Sequence, residues 1–376
     1  MIQITEKTNC CGCGACVQRC PNACITMHED EQGFLYPKVD TGKCIECGLC
    51  EKVCPVMNHG EPRQPLTCYA AINKDEKIRL ASSSGGVFTA LAEYVIANSG
   101  VVFGARFNEK WEVVHDYTET IEGLAAFRGS KYVQSTIGDN YRLAEQFLKD
   151  GRQVLFTGTP CQIAGLKHYL RKEYENLLSV EVACHGVPSP LVWREYIKDK
   201  NPQCINFRDK KDGWKRFGLT FDNVGESHSQ DLYMRAFLSN LTLRPSCFNC
   251  KLKSGVSNCD LLVADYWGIN NIHPELDDDK GVSLVVVFSF KILDLFKELD
   301  LLLEITDYKK AALSNIAIES CFLKPRLYDT FWCDFEKNGL DAIEPILNKM
   351  TPSIFSSLFN AIKVKTKLLF INCIRK

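Results

Sequence analysis

Two features of the sequence predict a mixed α/β (α+β) fold with a small cysteine-rich module at its N-terminal end. From Cys68 onward, apolar runs of strand length alternate with segments of helical periodicity. Before Cys68, cysteines recur at fixed short intervals, twice over.

The module comes first. Cys10, Cys13, Cys16 and Cys20 read C-x2-C-x2-C-x3-C-P, ending at Pro21, and Cys44, Cys47, Cys50 and Cys54 repeat the frame, ending at Pro55. A cubane iron–sulfur cluster needs one thiolate per iron, and two-residue gaps let one short loop supply three of them. In this frame the fourth cysteine reaches across to the other cluster. The expected cages are therefore Cys10, Cys13, Cys16 with Cys54, and Cys44, Cys47, Cys50 with Cys20, each around a 4Fe–4S cluster. Zinc more often uses separated C-x2-C pairs and fits this spacing poorly. Residues 1–57 thus read as a bacterial-type dicluster ferredoxin module. Ile25–His28 and Phe34–Lys38 are its strands, with a turn at Glu29–Gly33. Residues 58–67, with Gly60, Pro62 and Pro65, read as a linker.

The alternation beyond it assigns each element in turn. Tyr69–Asn73 reads as a strand. Val87–Ala97 reads as a helix with Val87, Phe88, Leu91, Val95 and Ile96 on one face. Val101–Phe107 and Glu112–Tyr117 read as strands, Tyr141–Lys149 as a helix, and Gln153–Phe156 as a buried strand followed by a helix around Gln162–Arg171. Leu177–Ala183, Leu261–Tyr266 and Val282–Phe290 complete the strands. The chain divides into regions 68–150 and 151–340, then a helical tail at 341–376. In the tail Ile354, Phe355, Leu358, Phe359, Ile362, Leu369 and Phe370 recur at helix-like intervals among Lys363, Lys365, Lys367, Arg375 and Lys376. That pattern suits a terminal helix docked on the core, or contact with a membrane surface.

Composition narrows the function. Among 376 residues, 45 are Lys or Arg and 46 Asp or Glu, so no basic surplus argues for nucleic acid. The 20 cysteines accompany an opening with no apolar signal core, and many stand in metal-ligand spacing, which fits a reducing cytoplasm. No apolar run reaches the length of a membrane helix.

Four further cysteines stand out by position. Cys161 follows Gly158-Thr159-Pro160 at a strand-to-helix junction, where Pro160 suits the first helical turn and free N–H groups favour thiolate. Cys184 follows the strand Leu177–Ala183. If the strands flanking this helix are parallel, both thiols lie at the carboxyl edge of the sheet, where such sheets place ligands. Cys247 and Cys250 form a C-x2-C pair. These four could close a third tetrahedral cage, for a cluster or for zinc, with Cys259 as a substitute ligand. Cys11, Cys24, Cys68, Cys204, Cys321, Cys333 and Cys373 read as ordinary thiols.

No nicotinamide fingerprint or P-loop follows a strand. Ser82-Ser83-Ser84-Gly85-Gly86 opens the helix at Val87, as a plain N-cap or as an approach for a phosphate. Arg128-Gly129-Ser130-Lys131-Tyr132-Val133-Gln134-Ser135 offers cations, a phenol and an amide suited to a dinucleotide, or is simply a loop.

Together with Gly158-Thr159-Pro160-Cys161-Gln162, Cys184-His185-Gly186-Val187-Pro188-Ser189-Pro190, Arg244-Pro245-Ser246-Cys247-Phe248-Asn249-Cys250 and Asp265-Tyr266-Trp267-Gly268, these ordered segments resemble the family of coenzyme F420 hydrogenase/dehydrogenase β-subunits, in its form with a fused ferredoxin module. The resemblance covers roughly residues 1–340. It implies an α/β flavin-binding domain and a flavoprotein holding FAD beside a third 4Fe–4S cluster. It makes Cys161, Cys184, Cys247 and Cys250 the favoured ligands of that cluster. It makes Ser83, Ser84, Gly85, Gly86, Arg128, Gly129, Ser130, Lys131, Tyr132, Gln134, Gly158, Thr159, Pro160 and Gln162 the FAD contacts, with Lys131 at a phosphate or flavin edge. His185 is a proton-donor candidate near the flavin, or a structural histidine. Two residues depart from the family: Cys259 stands before Asp260 where serine or alanine is usual, and Ala264 before Asp265 where glycine is usual.

The expected function is an oxidoreductase that couples two-electron FAD chemistry to one-electron transfer through the clusters. Its partner is ferredoxin, another redox protein or a partner oxidoreductase subunit; its small-molecule substrate is unspecified. Two alternatives stand beside it: an electron-transfer subunit with no substrate site of its own, and a redox-sensing or structural iron–sulfur protein.

Overall fold

The computed structural model describes residues 1–350. The module contains α1 (Ala15–Gln18), an antiparallel hairpin of β1 (Ile25–Glu29) and β2 (Leu35–Val39), and α2 (Leu49–Lys52). The larger unit follows as β3 (Thr67–Asn73), α3 (Glu76–Ala81), α4 (Val87–Ala97), β4 (Val101–Phe107), β5 (Val113–Thr118), α5 (Asn140–Lys149), β6 (Val154–Gly158), α6 (Pro160–Leu170) and β7 (Leu177–Val182). Next come α7 (Pro190–Ile197), a separate three-stranded sheet of β8 (Ile205–Asp209), β9 (Gly218–Phe221) and β10 (Val224–Ser227), and α8 (Leu232–Leu238). The chain then returns to the main sheet as β11 (Leu261–Asp265), β12 (Ser283–Val287) and β13 (Leu301–Ile305).

Among the described residues the main sheet has eight strands in the order β13-β3-β12-β11-β7-β6-β4-β5. The middle four, β11, β7, β6 and β4, run parallel, and the flanking strands pair antiparallel. The mixed α/β expectation is met. Strand β6 is buried at every position, as a strand covered on both faces must be. One face packs Val87, Leu91 and Val95 of α4 on Val102, Leu155 and Val180. The other packs Tyr141 of α5 and Leu166 of α6 on Phe103 and Phe156. The apolar run at 282–290 is not one strand, because β12 stops at Val287 and Phe290 begins a short helix.

A second core surrounds Trp193, Phe207, Tyr233, Phe237 and Phe331. Ile343, Ile346 and Leu347 of the helix Ile343–Met350 are buried in it. Packing therefore continues past residue 340, where the sequence placed the start of a tail. The amphipathic pattern at 351–376, and with it any membrane contact, lies outside the described residues. Among the described residues no helix is long and apolar enough to cross a membrane.

The module is built into the larger unit. Cys13, Ala15 and Val53 share a buried cluster with Tyr141 and Leu166. Gly165 makes this possible: a Cβ there would lie 2.6 Å from the Tyr141 hydroxyl and 3.0 Å from Cys13 Cβ. Gln18 Oε1 accepts from the Tyr141 and Arg142 N–H groups at 3.0 and 3.2 Å, satisfying the first turn of α5. The segment before β3 is pinned by Arg63, which donates to the carbonyls of Cys259 at 3.0 Å and Phe288 at 2.9 Å.

Candidate redox site

The parallel strands β6, β7 and β11 end on one edge, and the loops leaving them surround a cavity of about 300 Å³. Ser83, Ser84 and Gly86 reach it from the turn before α4, and Arg128, Gly129, Ser130, Lys131 and Tyr132 from the loop before α5. Gly158, Thr159 and Gln162 reach it from the β6–α6 turn, and Cys184 and His185 from the end of β7. Val87, Phe127, Val182, Val263 and Phe237 make it apolar elsewhere.

Three sequence-marked residues stand outside this lining. Gly85 is pressed onto the sheet, where a Cβ would come within 2.2 Å of the Ala71 carbonyl oxygen. Pro160 lines a neighbouring, thiol-rich cavity. Gln134 turns to the module, donating to Cys11 O and accepting from Arg244 Nη1, both at 3.0 Å. A larger open groove of 770 Å³ near β9 and β10 contains none of the sequence-marked residues.

The rim is held by local chemistry. Helix α6 starts with Pro160 at its first position, and Gln162 Oε1 accepts from the Thr159 N–H at 2.9 Å. Helix α4 instead begins after Gly86, at φ +88°, with no side-chain cap, so its first-turn N–H groups have no capping side chain. The two loops are tied where Ser83 Oγ accepts from the Ser130 N–H at 2.7 Å.

Two functional side chains carried no sequence signal. Arg208, 4% exposed, grips Asp265 through both carboxylate oxygens at 2.6 and 3.0 Å and also donates to Tyr132 Oη and Ser83 O. It binds three cavity segments into one rim. His115 donates from Nε2 to Thr157 O at 3.0 Å and accepts at Nδ1 from Ser135 Oγ at 2.9 Å, and Ser135 in turn accepts from Gln162 Nε2. Burial lowers its pKa to about 4, so it stays neutral. Lys131 Nζ donates to the carbonyls of Ala126, Arg128 and Gly129, and desolvation brings its pKa to about 7.

The thiols form a series. Cys10, Cys13, Cys16 and Cys54 line one cavity. Cys44, Cys47, Cys50 and Cys20 line another, with Cys24 beside Cys20 at 3.2 Å. Cys161, Cys184, Cys247 and Cys250 line a third, joined by Cys11. Among the described residues no three Cys, His, Asp or Glu side chains converge closely enough to hold a lone ion. The sulfurs instead stand around the walls of shared spaces, which suits a multi-iron group better than tetrahedral zinc. Cys259 does not line the third cavity; it is buried with Ser257 and beside Glu181. Cys11, read from sequence as an ordinary thiol, contacts Cys161, and that contact is the leading cause raising the Cys161 pKa. Burial raises the pKa of Cys184 as well, so metal loading would displace protons from both.

Neighbouring cavities share walls. Cys184, His185, Gly186 and Val187 line both the 300 Å³ cavity and the third thiol cavity. Cys11 and Val56 line both the third thiol cavity and the first. The Ile2 N–H, from a residue of the first cavity, donates to Cys50 Sγ of the second at 3.3 Å.

Comparison with known proteins agrees with this layout. Residues 151–310 match the family described as the C terminus of the coenzyme F420 hydrogenase/dehydrogenase beta chain, residues 68–139 match its N-terminal counterpart, and residues 9–58 match "4Fe-4S dicluster domain". The chain is 28% identical over 205 residues to the coenzyme F420-dependent sulfite reductase of Methanocaldococcus jannaschii, covering 52% of this chain and 30% of that protein. It is 26% identical over 251 residues to the F-type component of the F(420)H(2) dehydrogenase of Methanosarcina mazei, covering 61% and 68% respectively. A chain from the F420-reducing [NiFe] hydrogenase complex of Methanosarcina barkeri superposes with a TM-score of 0.46 at 16% identity, covering 76% of this chain and 92% of that one. The dicluster match assigns iron–sulfur clusters to the module, and with them electron transfer. The chain belongs to the family of coenzyme F420 hydrogenase/dehydrogenase β-subunits, as an iron–sulfur redox protein with an N-terminal dicluster module.

Proposed function

We propose that this chain is an iron–sulfur flavoprotein oxidoreductase, with FAD in the 300 Å³ cavity and a 4Fe–4S cluster in each of the three thiol-lined cavities. The observation that carries the reading is the shared wall at Cys184–Val187, which sets the flavin site directly against the third cage. The cavity suits the cofactor at both ends. The uncapped first turn of α4 and the Arg128 side chain favour phosphate, and Val182, 44% exposed at the cavity wall, offers apolar surface to a ring system. FAD, when bound, supplies the exchange between two-electron and one-electron chemistry.

The chain's own residues do the rest. Arg208 holds Ser83, Tyr132 and Asp265 in register. Neutral His115 and Ser135 fix the Gln162 amide at the cavity floor. His185 commits Nε2 to Asn240 Oδ1 at 2.6 Å and stacks on Phe322, and burial lowers its pKa. It acts as a rigid part of the wall, with proton donation secondary. Cys161, Cys184, Cys247 and Cys250, then Cys10, Cys13, Cys16 and Cys54, then Cys44, Cys47, Cys50 and Cys20 hold the successive stations toward an outside redox protein.

Both relatives are named for coenzyme F420, which makes a reduced deazaflavin the first hydride donor to test. One of them is named as a subunit, which favours a second reading, electron transfer in the service of a catalytic partner. Anaerobic purification should give flavin absorbance and about twelve irons per chain, three clusters of four. Reduced deazaflavin, nicotinamides and reduced ferredoxin are then offered in turn while flavin and cluster bands are followed separately. Turnover of a hydride donor by the isolated chain supports the enzyme. Reduction only in the presence of a co-purifying oxidoreductase supports the second reading, and flavin-free protein with full iron removes the flavin.

A further inference from the structure

Arg244 is completely buried where the module meets the larger unit. Its Nε donates to Cys10 O at 2.8 Å, Nη1 to Gln134 Oε1 at 3.0 Å and Nη2 to Leu35 O at 2.9 Å. Nη2 also reaches Cys10 Sγ at 3.7 Å. The guanidinium covers the Tyr36 ring, 4.2 Å from its centroid. None of these protein partners carries a fixed negative charge, and among the described residues no carboxylate pairs with Arg244. A buried cation without an anion is strongly disfavoured. The anion that completes this arrangement belongs in the adjoining Cys10, Cys13, Cys16 and Cys54 cavity, as thiolates and the cluster they hold.

We propose that Arg244 is a redox-tuning positioning residue. It acts through Cys10 to raise the reduction potential of the cluster in that cage, so that an electron arriving from the third cage settles there before moving outward. The proposal rests on the cluster assignments above. Reduction adds one electron, and hence one negative charge, to the cage, and a fixed cation beside its sulfur stabilises that state over the oxidised one. The same cation stands three residues before Cys247, so the third cage feels it more weakly and the Cys44 cage least.

The test uses the full chain loaded with clusters under anaerobic conditions. Each couple is titrated with dithionite and followed by electron paramagnetic resonance in the native protein, Arg244→Gln and Arg244→Lys. At fixed poise, Arg244→Gln should cut the reduced-to-oxidised ratio of one cluster at least tenfold, a midpoint about 59 mV more negative for one electron. Arg244→Lys keeps the charge and should stay within about threefold of the native ratio. Unmoved couples in Arg244→Gln, or equal shifts in the two variants, overturn the proposal. Should Arg244→Gln fail to accumulate, Gln134→Glu places a carboxylate against Nη1 and should move the same couple in the same direction; no movement overturns the idea. Iron and sulfide analysis separates the two levels. Native protein without module clusters defeats the cluster assignments themselves, whereas full clusters with unmoved potentials defeat only the tuning.

Discussion

Thr159 Oγ1 stands 3.2 Å from Cys161 Sγ, although Thr159 faces the 300 Å³ cavity and Cys161 the thiol cavity beside it. The β6–α6 turn thus touches both proposed cofactors within two residues. Thr159→Val removes the hydroxyl at the sulfur and a cap of α6. It should lower stability by about 1 kcal/mol and make the third cluster harder to reduce. Thr159→Ser should preserve both. A thermal melt and a redox titration read the two effects.

Cys184→Ser should lose the iron of one cluster, about a third of the total, while the module keeps its own. Cys11→Ala should keep all three clusters, because Cys11 lies beside Cys161 as an extra thiol. Iron and acid-labile sulfide per chain check both. Loss of a full cluster in Cys11→Ala would reassign it as a ligand.

Gly165→Val should loosen the module. The side chain would meet the Tyr141 hydroxyl and Cys13, both in the core. Overpacking of this kind costs about 1–3 kcal/mol. A lowered melting temperature with faster iron loss to a chelator is the expected result.

His115 gives a pH signature. Its folded pKa, about 4, lies below the usual 6.5 because burial disfavours the charged ring. Its contribution is complete above pH 6.5 and is lost as pH falls toward 4. The loss is about 2 kcal/mol by pH 5. Urea melts of native protein and His115→Gln at pH 7.5 and pH 5 should differ by that amount in their pH dependence.

Lys131 gives the opposite sign, in ligand binding. Its pKa of about 7 would rise on binding an anion, since the anion favours the charged form. FAD affinity should therefore fall as pH rises above 7, by up to about tenfold per pH unit. Lys131→Gln should flatten the profile. Equilibrium dialysis across pH 6 to 9 measures it.

What the sequence disclosed follows from what each signal depends on. Ligand spacing is local, so the two module cages were legible from Cys10–Cys20 and Cys44–Cys54 and appear as two lined cavities. Strand and helix periodicity is also local, and Val87–Ala97 and Val101–Phe107 were placed to the residue. The β8–β10 sheet was not, because its strands are short and its register shifts between Asn206 and Asp209. Arg208 and His115 matter through partners about 20 to 125 positions away, Ser135 for His115 and Ser83 for Arg208, and no window along the chain brings such pairs together. Gln134 sits in a loop whose neighbours line the cavity, but its own side chain serves the module. Cys11 lies between ligand positions, and only the fold turns it toward Cys161.

The most direct test of electron passage across the Cys184–Val187 wall is flavin reduction from the far end of the chain of cages. Reduced ferredoxin is mixed anaerobically with flavin-loaded native protein and with Cys184→Ser that retains flavin and module clusters. Bleaching of the flavin band should be rapid in the native protein and at least about a hundredfold slower in the variant, a barrier increase near 2.7 kcal/mol. Equal rates in both proteins, or a native protein that takes up no flavin, would contradict it.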